Sequence, residues 1–466
     1  MANDSRSKKM ARDFLVYSVG IIGSKLMTFL LLPVYTHFIS DPAEYGYFDL
    51  CLTACFMLMP LVTLQMRDGA FRFLLETEDA DKRSRIVTYI NKTLFISTLV
   101  TLLAAGAMWI LYPKPYLGYV VALLIVMSFY DVYAQTVRGL GNNRSFVMVS
   151  LICSFAIALF SVAFLLMGMG ILGLFIANIL ARIIAVVAVD VREKVVARYF
   201  KPSLKDLNQT GKEILRFSLP LLPAGICWWF IGFSNRYFIT ENLSLHDSGI
   251  YGLASRLATV VQAIATIFLQ TWQENAIQQY NSNDRNRFFS KVFNGYIVAF
   301  TLVIILYAFG AKLVFPILFN ANYSESMVYL YPLCIATMFF ALAGYFEIIY
   351  QCEKQTRRLL LPLIIAPFIN VALNYVLIGP MGIYGVVISY AVNYIFIITC
   401  RWIDTTQWVK VRINLASLLA FAIMVIGAIP FVISTPLLVE IAIVVLSVAS
   451  LLAIKDVREL IMRKNR

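Results

Sequence analysis

Long apolar runs constrain this chain more than any other feature. Fourteen stretches of membrane-spanning length follow one another, near 14–37, 44–66, 87–111, 116–138, 146–167, 170–190, 215–239, 248–273, 289–310, 327–350, 359–378, 381–401, 412–433 and 437–454. About 20 helical residues cross a hydrocarbon core of roughly 30 Å. Only helices and closed barrels satisfy every backbone group inside lipid, and barrel strands alternate over about ten residues, which these runs do not. The expectation is an all-α polytopic membrane protein with about 14 transmembrane helices. A hydrophobic fraction of 60% and a mean hydropathy of +0.78 agree, being too apolar for a soluble chain of 466 residues. The tightest predicted links are Gly168–Met169–Gly170, Gly379–Pro380 and Ser434–Thr435–Pro436. The opening MANDSRSKKMARDF leads directly into a full-length span, so it is not read as a cleavable signal peptide.

The basic residues fit the same count. With the first residue inside, 32 of the 39 Lys and Arg fall in alternate inner segments, and the outer loops hold only Lys114 and Lys312. That asymmetry follows the positive-inside rule and puts both termini in the cytoplasm. The net charge of +13 is then a topological signal rather than a mark of nucleic-acid binding. Seven cysteines in or at the inner ends of spans imply no disulfide framework, and His37 and His246 make no metal-binding set.

One span departs from the pattern. Tyr251–Gln273 is long enough to cross the bilayer, yet carries Ser255, Arg256, Thr259, Gln262, Thr266, Gln270 and Gln273. From Thr259 these recur at spacings of three, four, four and three, one face of a helix, with Leu257, Val260, Val261, Ala265 and Leu269 opposite. A polar face of that length must meet protein or a water-filled cavity. The glutamines can both donate and accept hydrogen bonds, as a polar cavity lining needs, with interhelical bonding as the alternative.

The chain also resembles itself at an offset of 200. Phe14–Ser18 matches Ile214–Ser218, His37–Ser40 matches Tyr237–Thr240, and Tyr45–Gly46 answers Tyr251–Gly252 after a longer loop. Six spans per copy make the halves parallel repeats. The expected organisation is a first six-helix bundle over 1–190, a cytoplasmic linker over 191–214 and a second bundle over 215–402. Two extra helices and a basic tail fill 403–466, and the bundles are expected to enclose a central cationic cavity that works by alternating access.

Leu31-Leu32-Pro33-Val34-Tyr35, Tyr45-Gly46 and Arg67-Asp68-Gly69-Ala70-Phe71-Arg72, after a basic N-terminus, resemble polysaccharide exporters of the MOP superfamily. These are the O-antigen-type (Wzx-like) flippases, related to lipid II flippases and MATE drug exporters. The resemblance covers spans 1 to 12. It implies a bacterial inner-membrane protein that turns an undecaprenyl-pyrophosphate-linked oligosaccharide, for O-antigen, capsule or exopolysaccharide, from the inner to the outer leaflet. It also implies work beside polysaccharide polymerase machinery. Fourteen spans are shared with lipid II flippases, so that substrate stays open, as does a MATE-type drug exporter.

Candidate site residues follow from the charge problem such a substrate poses. Lys25 lies about 16 Å into span 1 at 1.5 Å per residue, with Ser18 and Thr28 on its helical face. It also matches the superfamily's cation within span 1. Arg256 lies on the polar stripe, where its fork suits phosphate oxygens and Asp49 is a candidate pairing partner. Arg182 follows Asn178 in span 6. Arg236 sits near the outer end of span 7, where snorkelling to headgroups is the competing reading. Asp49, Asp131 and Glu347 are the intramembrane carboxylates, each a coupling site for H+ or Na+ or a partner for an arginine. Asn370, Asn374 and Asn393 read as helix contacts, and Pro220 and Pro223 as a hinge opening span 7.

An enzyme is not expected. The chain has no soluble domain, no phosphate-binding Gly-rich loop before Lys-Ser/Thr and no catalytic cluster, and a resident cofactor is likewise not expected. A drug exporter would place acids along its path for cationic substrates, whereas this chain has more midspan cations than acids. Nothing in the sequence requires more than a monomer.

Overall fold

The computed structural model describes residues 29–111, 114–201 and 208–433, with Met27 and Val445. Among the described residues the chain is helical, with no strand. The helices are α1 (Phe29–Phe38), α2 (Pro42–Thr63), α3 (Met66–Leu75), α4 (Ala80–Leu111), α5 (Leu117–Gly139), α6 (Asn143–Leu166), α7 (Gly170–Glu193), α8 (Val195–Tyr199), α9 (Asn208–Ser218), α10 (Leu222–Asn242), α11 (Leu245–Gln279), α12 (Arg285–Leu318), α13 (Ser326–Cys352), α14 (Leu360–Met381), α15 (Ile383–Thr405) and α16 (Leu415–Ile433). Eleven helical stretches are long and apolar enough to cross a membrane, and they fall on predicted spans 2 to 12. The described part of span 1 is α1, span 13 is α16, and span 14 lies outside the described residues. Several helices outrun their apolar runs. α11, at 35 residues, is about 52 Å long, because a helix needs no lipid to satisfy its backbone beyond the bilayer.

The chain forms two compact units. Among the described residues, one comprises those up to Ile39 with Tyr47–Phe233; the other comprises Ser40–Gly46 with those from Ser234. The division therefore falls inside α10. The 191–214 segment is not a plain loop, since it holds α8 and the start of α9. Both stay with the first unit. Thr88 Oγ1 of α4 accepts from the Lys201 N–H at 2.9 Å, and Phe217 packs edge-on against Phe73. Between α9 and α10, Leu219–Leu221 forms a 3-10 turn with Pro220 in it, so the helix of span 7 is interrupted where the prolines predict.

Packing order repeats between the units. In the first, α3 packs on α5, α5 on α7 and α6 on α7; in the second, α11 packs on α13, α13 on α15 and α14 on α15. In the second copy the second, fourth and sixth spans run side by side, with the fifth against the sixth; in the first copy α3, the short helix that follows span 2, takes the second span's place beside the fourth. The second unit is centred on α13, whose tyrosines Tyr331, Tyr345 and Tyr350 are almost fully buried. Their burial is made tolerable by hydrogen bonds, as in Tyr345 OH to the Phe289 carbonyl at 2.8 Å and Tyr331 OH to the Met424 carbonyl at 3.0 Å.

Two local features were hidden in the sequence. α2 and α3 are separated by Leu64 and Gln65, both left-handed (φ 47° and 53°), a conformation costing roughly 1–2 kcal/mol per non-glycine residue. Pro60 cannot donate within α2, and its carbonyl instead accepts the Gln65 N–H at 3.1 Å. The second feature explains Tyr45-Gly46. A Cβ on Gly46 would lie 2.4 Å from the Leu245 carbonyl oxygen, and one on Gly249 only 1.8 Å from that of Pro42. The starts of α2 and α11 thus touch backbone to backbone, as only glycine allows. Gly379–Pro380 is a correction. α14 runs through it to Met381, and the turn is made by Gly382 (φ +55°), whose N–H reaches the Ile378 carbonyl at 2.8 Å.

Candidate functional site

The two faces of α11 do different work. Leu253, Ala254, Leu257, Val261, Ala265, Trp272 and Ala276 are buried in the second unit's core. There Leu269 meets the open side of Gly344 and Trp272 stacks on Tyr345 at 4.8 Å, donating to its carbonyl at 3.4 Å. Trp272 is therefore a packing residue. The polar face turns away from that core: Thr259 and Gln273 are exposed, and Ser255, Arg256, Gln262, Thr266 and Gln270 are half-buried. Thr259 and Thr266 direct their hydroxyls back to the carbonyls of Arg256 (2.6 Å) and Gln262 (2.8 Å), while Gln273 donates to Gln351 at 2.5 Å. Between Asp247 and Glu274 the helix carries an arginine and amides but no carboxylate. Left to hydrocarbon, Arg256 alone would cost about 2.5–3.5 kcal/mol on insertion scales.

Arg236 belongs with this face rather than with the headgroups. It is buried, donates to Ser255 Oγ at 3.0 Å and lies 5.6 Å from the centre of the Tyr251 ring. Snorkelling loses to these partners because they lie within reach on the neighbouring helix. Beside it a fully buried polar cluster joins α10, α11 and α14. Ser234 donates to Asn370 (2.9 Å), Asn374 to Asn235 (2.9 Å) and Asn235 to Tyr251 OH (3.3 Å). The contacts read for Asn370 and Asn374 are thus observed, and the part played by Ser234 and Asn235 was missed. Asn393 is also fully buried, with neither amide atom partnered among the described residues.

In the first unit, buried Arg182 folds back onto its own helix, with Nη1 donating to the Asn178 carbonyl (2.7 Å) and Oδ1 (2.9 Å). Asp131 pairs with Arg67 at 3.1 Å, and Arg67 also meets Asp68 at 3.5 Å. Asp49 is buried in α2. In the second unit Glu347 pairs with buried Arg401 at 3.2 Å, so it and Asp131 are both charge partners of arginines at helix ends. Lys25, Ser18 and Thr28 lie outside the described residues. Among the described residues no three His, Cys, Asp or Glu side chains converge as a metal site would require.

Comparison with known proteins places this geometry. Residues 10–272, more than half of the chain, match the polysaccharide biosynthesis protein family. No curated protein matches the chain. Among solved structures, the lipid II flippase MurJ in an inward closed conformation superposes with a TM-score of 0.69, at 13% identity, covering 97% of this chain and 99% of that one. An inward-facing multidrug resistance MATE family transporter of the MOP superfamily gives 0.65 at 14% identity, covering 82% and 95%. A MOP superfamily transporter from Pyrococcus furiosus gives 0.51 at 14% identity, covering 84% and 94%. At these identities the likeness is one of fold, and that fold is the membrane-spanning helical architecture of MOP transporters.

Proposed function

The chain belongs to the polysaccharide biosynthesis protein family, and from that premise we propose that it is a flippase. Its substrate is an undecaprenyl-pyrophosphate-linked oligosaccharide repeat unit, moved from the inner to the outer leaflet of the bacterial inner membrane by alternating access. The observation that carries this reading is the polar face of α11, which runs the length of a membrane-spanning helix and is turned away from its own unit's core. Its amides and hydroxyls replace water around sugar hydroxyls. Arg256, with Arg236 held at Ser255, offers cations to the pyrophosphate, whose charge is the main barrier to crossing a low-dielectric slab. Lys25 is the proposed counterpart in span 1. The missing carboxylates on that face favour an anionic substrate over a cationic drug.

Deleting the gene and identifying by mass spectrometry the undecaprenyl-linked saccharide that builds up tests this. A strain-specific oligosaccharide cleared by wild type, but poorly by Arg256→Ala or Lys25→Ala, is expected. Accumulated lipid II would move the function to peptidoglycan. Loss of dye efflux without any lipid-linked sugar would refute the anionic-substrate argument.

A further inference from the structure

The segment joining α15 to α16 is a strap laid along the first turns of α12. Val409 and Val411 are 1% and 6% exposed, while Lys410 and Arg412 between and after them are exposed, the period-two pattern of extended chain. Its backbone is held by side chains of α12. Asn286 Oδ1 accepts the Lys410 N–H (3.0 Å), Ser290 Oγ the Arg412 N–H (2.9 Å) and Asn294 Oδ1 the Asn414 N–H (2.9 Å), and Asn294 Nδ2 donates to the Arg412 carbonyl (2.7 Å). The holding residues are spaced by four and the held ones by two. Four helical residues rise about 6 Å and two extended residues about 6.6 Å, so the two repeats keep step.

This registry fixes an array of cations. Arg287 and Lys291, each one residue beyond a holding side chain, are exposed like Lys410 and Arg412. Among the described residues none of the four is in an ion pair, whereas Arg358, 5.3 Å from the ring of the strap's Trp408, is held by Asp404 at 3.0 Å. In the sequence from Asn281 to Asn294 the one carboxylate is Asp284, which is exposed. The array opens on apolar surface, because α16 begins here with Leu415, Leu418 and Leu419 exposed.

We propose that the strap and the start of α12 bind the phosphate of an anionic phospholipid headgroup, with an acyl chain lying against α16. Fixed cations bordering an apolar helix surface match a charged headgroup joined to a hydrocarbon tail, and a backbone already held in place leaves less to order on binding. An acidic protein partner would use the charges but leave the leucines unexplained.

The test is titration of phosphatidylglycerol into the purified full chain in phosphatidylcholine nanodiscs, with bound lipid read by native mass spectrometry. Wild type is expected to retain phosphatidylglycerol in preference to phosphatidylcholine. Lys410→Gln with Arg412→Gln is expected to weaken that retention about 30-fold. Lys82→Gln with Arg85→Gln, which removes the same charge from exposed positions on α4, is expected to leave it unchanged. Asn294→Leu keeps all four cations but frees the strap, and is expected to weaken retention as well. No preference in wild type, equal loss in both double variants, or full retention in Asn294→Leu would each overturn the proposal.

Discussion

Asn294 is the residue whose loss the structure prices most directly. It is 7% exposed and serves four partners. Its Nδ2 donates to the Ser290 carbonyl (2.6 Å) and the Arg412 carbonyl (2.7 Å), and its Oδ1 accepts from the Asn414 N–H (2.9 Å) and the Ser417 hydroxyl. Asn294→Leu keeps the volume and removes all four. Two strap backbone groups then lose partners, at about 1–3 kcal/mol each, and partial water access puts the total near 2–4 kcal/mol. The strap rather than the whole unit should open, since α13 and α15 make no use of Asn294. Lys410 and Arg412 make that opening readable by trypsin, which needs a freed backbone. If cleavage follows the open population, a loss of about 3 kcal/mol raises its rate on the order of a hundredfold. Ser290→Ala, which removes the bond to the Arg412 N–H, should raise it roughly fivefold. Cleavage at Lys410 and Arg412 no faster in Asn294→Leu than in wild type would refute the reasoning.

Further outcomes follow from other contacts. Gly249→Leu should sharply lower the yield of folded protein on size-exclusion chromatography, because its Cβ would strike the Pro42 carbonyl, whereas Gly310→Ala, with open space around it, should be tolerated. Arg67→Gln should destabilise by about 1–3 kcal/mol by leaving Asp131 uncompensated, and adding Asp131→Asn should recover part of that in a thermal-denaturation double-mutant cycle. In a cysteine-free background, Thr259→Cys should react with a membrane-impermeant maleimide in detergent-free vesicles and Leu257→Cys should not; equal labelling would deny the wet face of α11. Ser255→Ala should lower flippase complementation less than Arg236→Gln, since the arginine keeps its Tyr251 contact.

The spans were legible because twenty apolar residues leave the backbone little choice, and α11 because its polar residues keep helical period. What escaped was whatever depends on a partner far along the chain. Arg236 sits where snorkelling is easy, and only the neighbouring helix reveals Ser255 and Tyr251 as better partners. Leu64 and Gln65 carry no turn signature, so their left-handed break could not be read from residue type. Asn286, Ser290 and Asn294 carry no signal of their own in the sequence, because the ladder exists only between them and the strap. Gly379–Pro380 misled in the other direction: a proline in the last turn of a helix removes one hydrogen bond without ending it.

The contact between Gly46 and Gly249 also sets a clock. Some 200 residues separate them, and at about 5–20 residues per second of synthesis the start of α2 waits roughly 10–40 s for its partner. α3 to α7 can meet one another during that interval, since the residues they need have already been made. The first turn of α2, Pro42–Gly46, cannot, and the face that will receive Leu245 and Gly249 stays uncovered until α11 arrives. Slowing translation between α7 and α11 would lengthen that exposure without altering any residue of the finished protein.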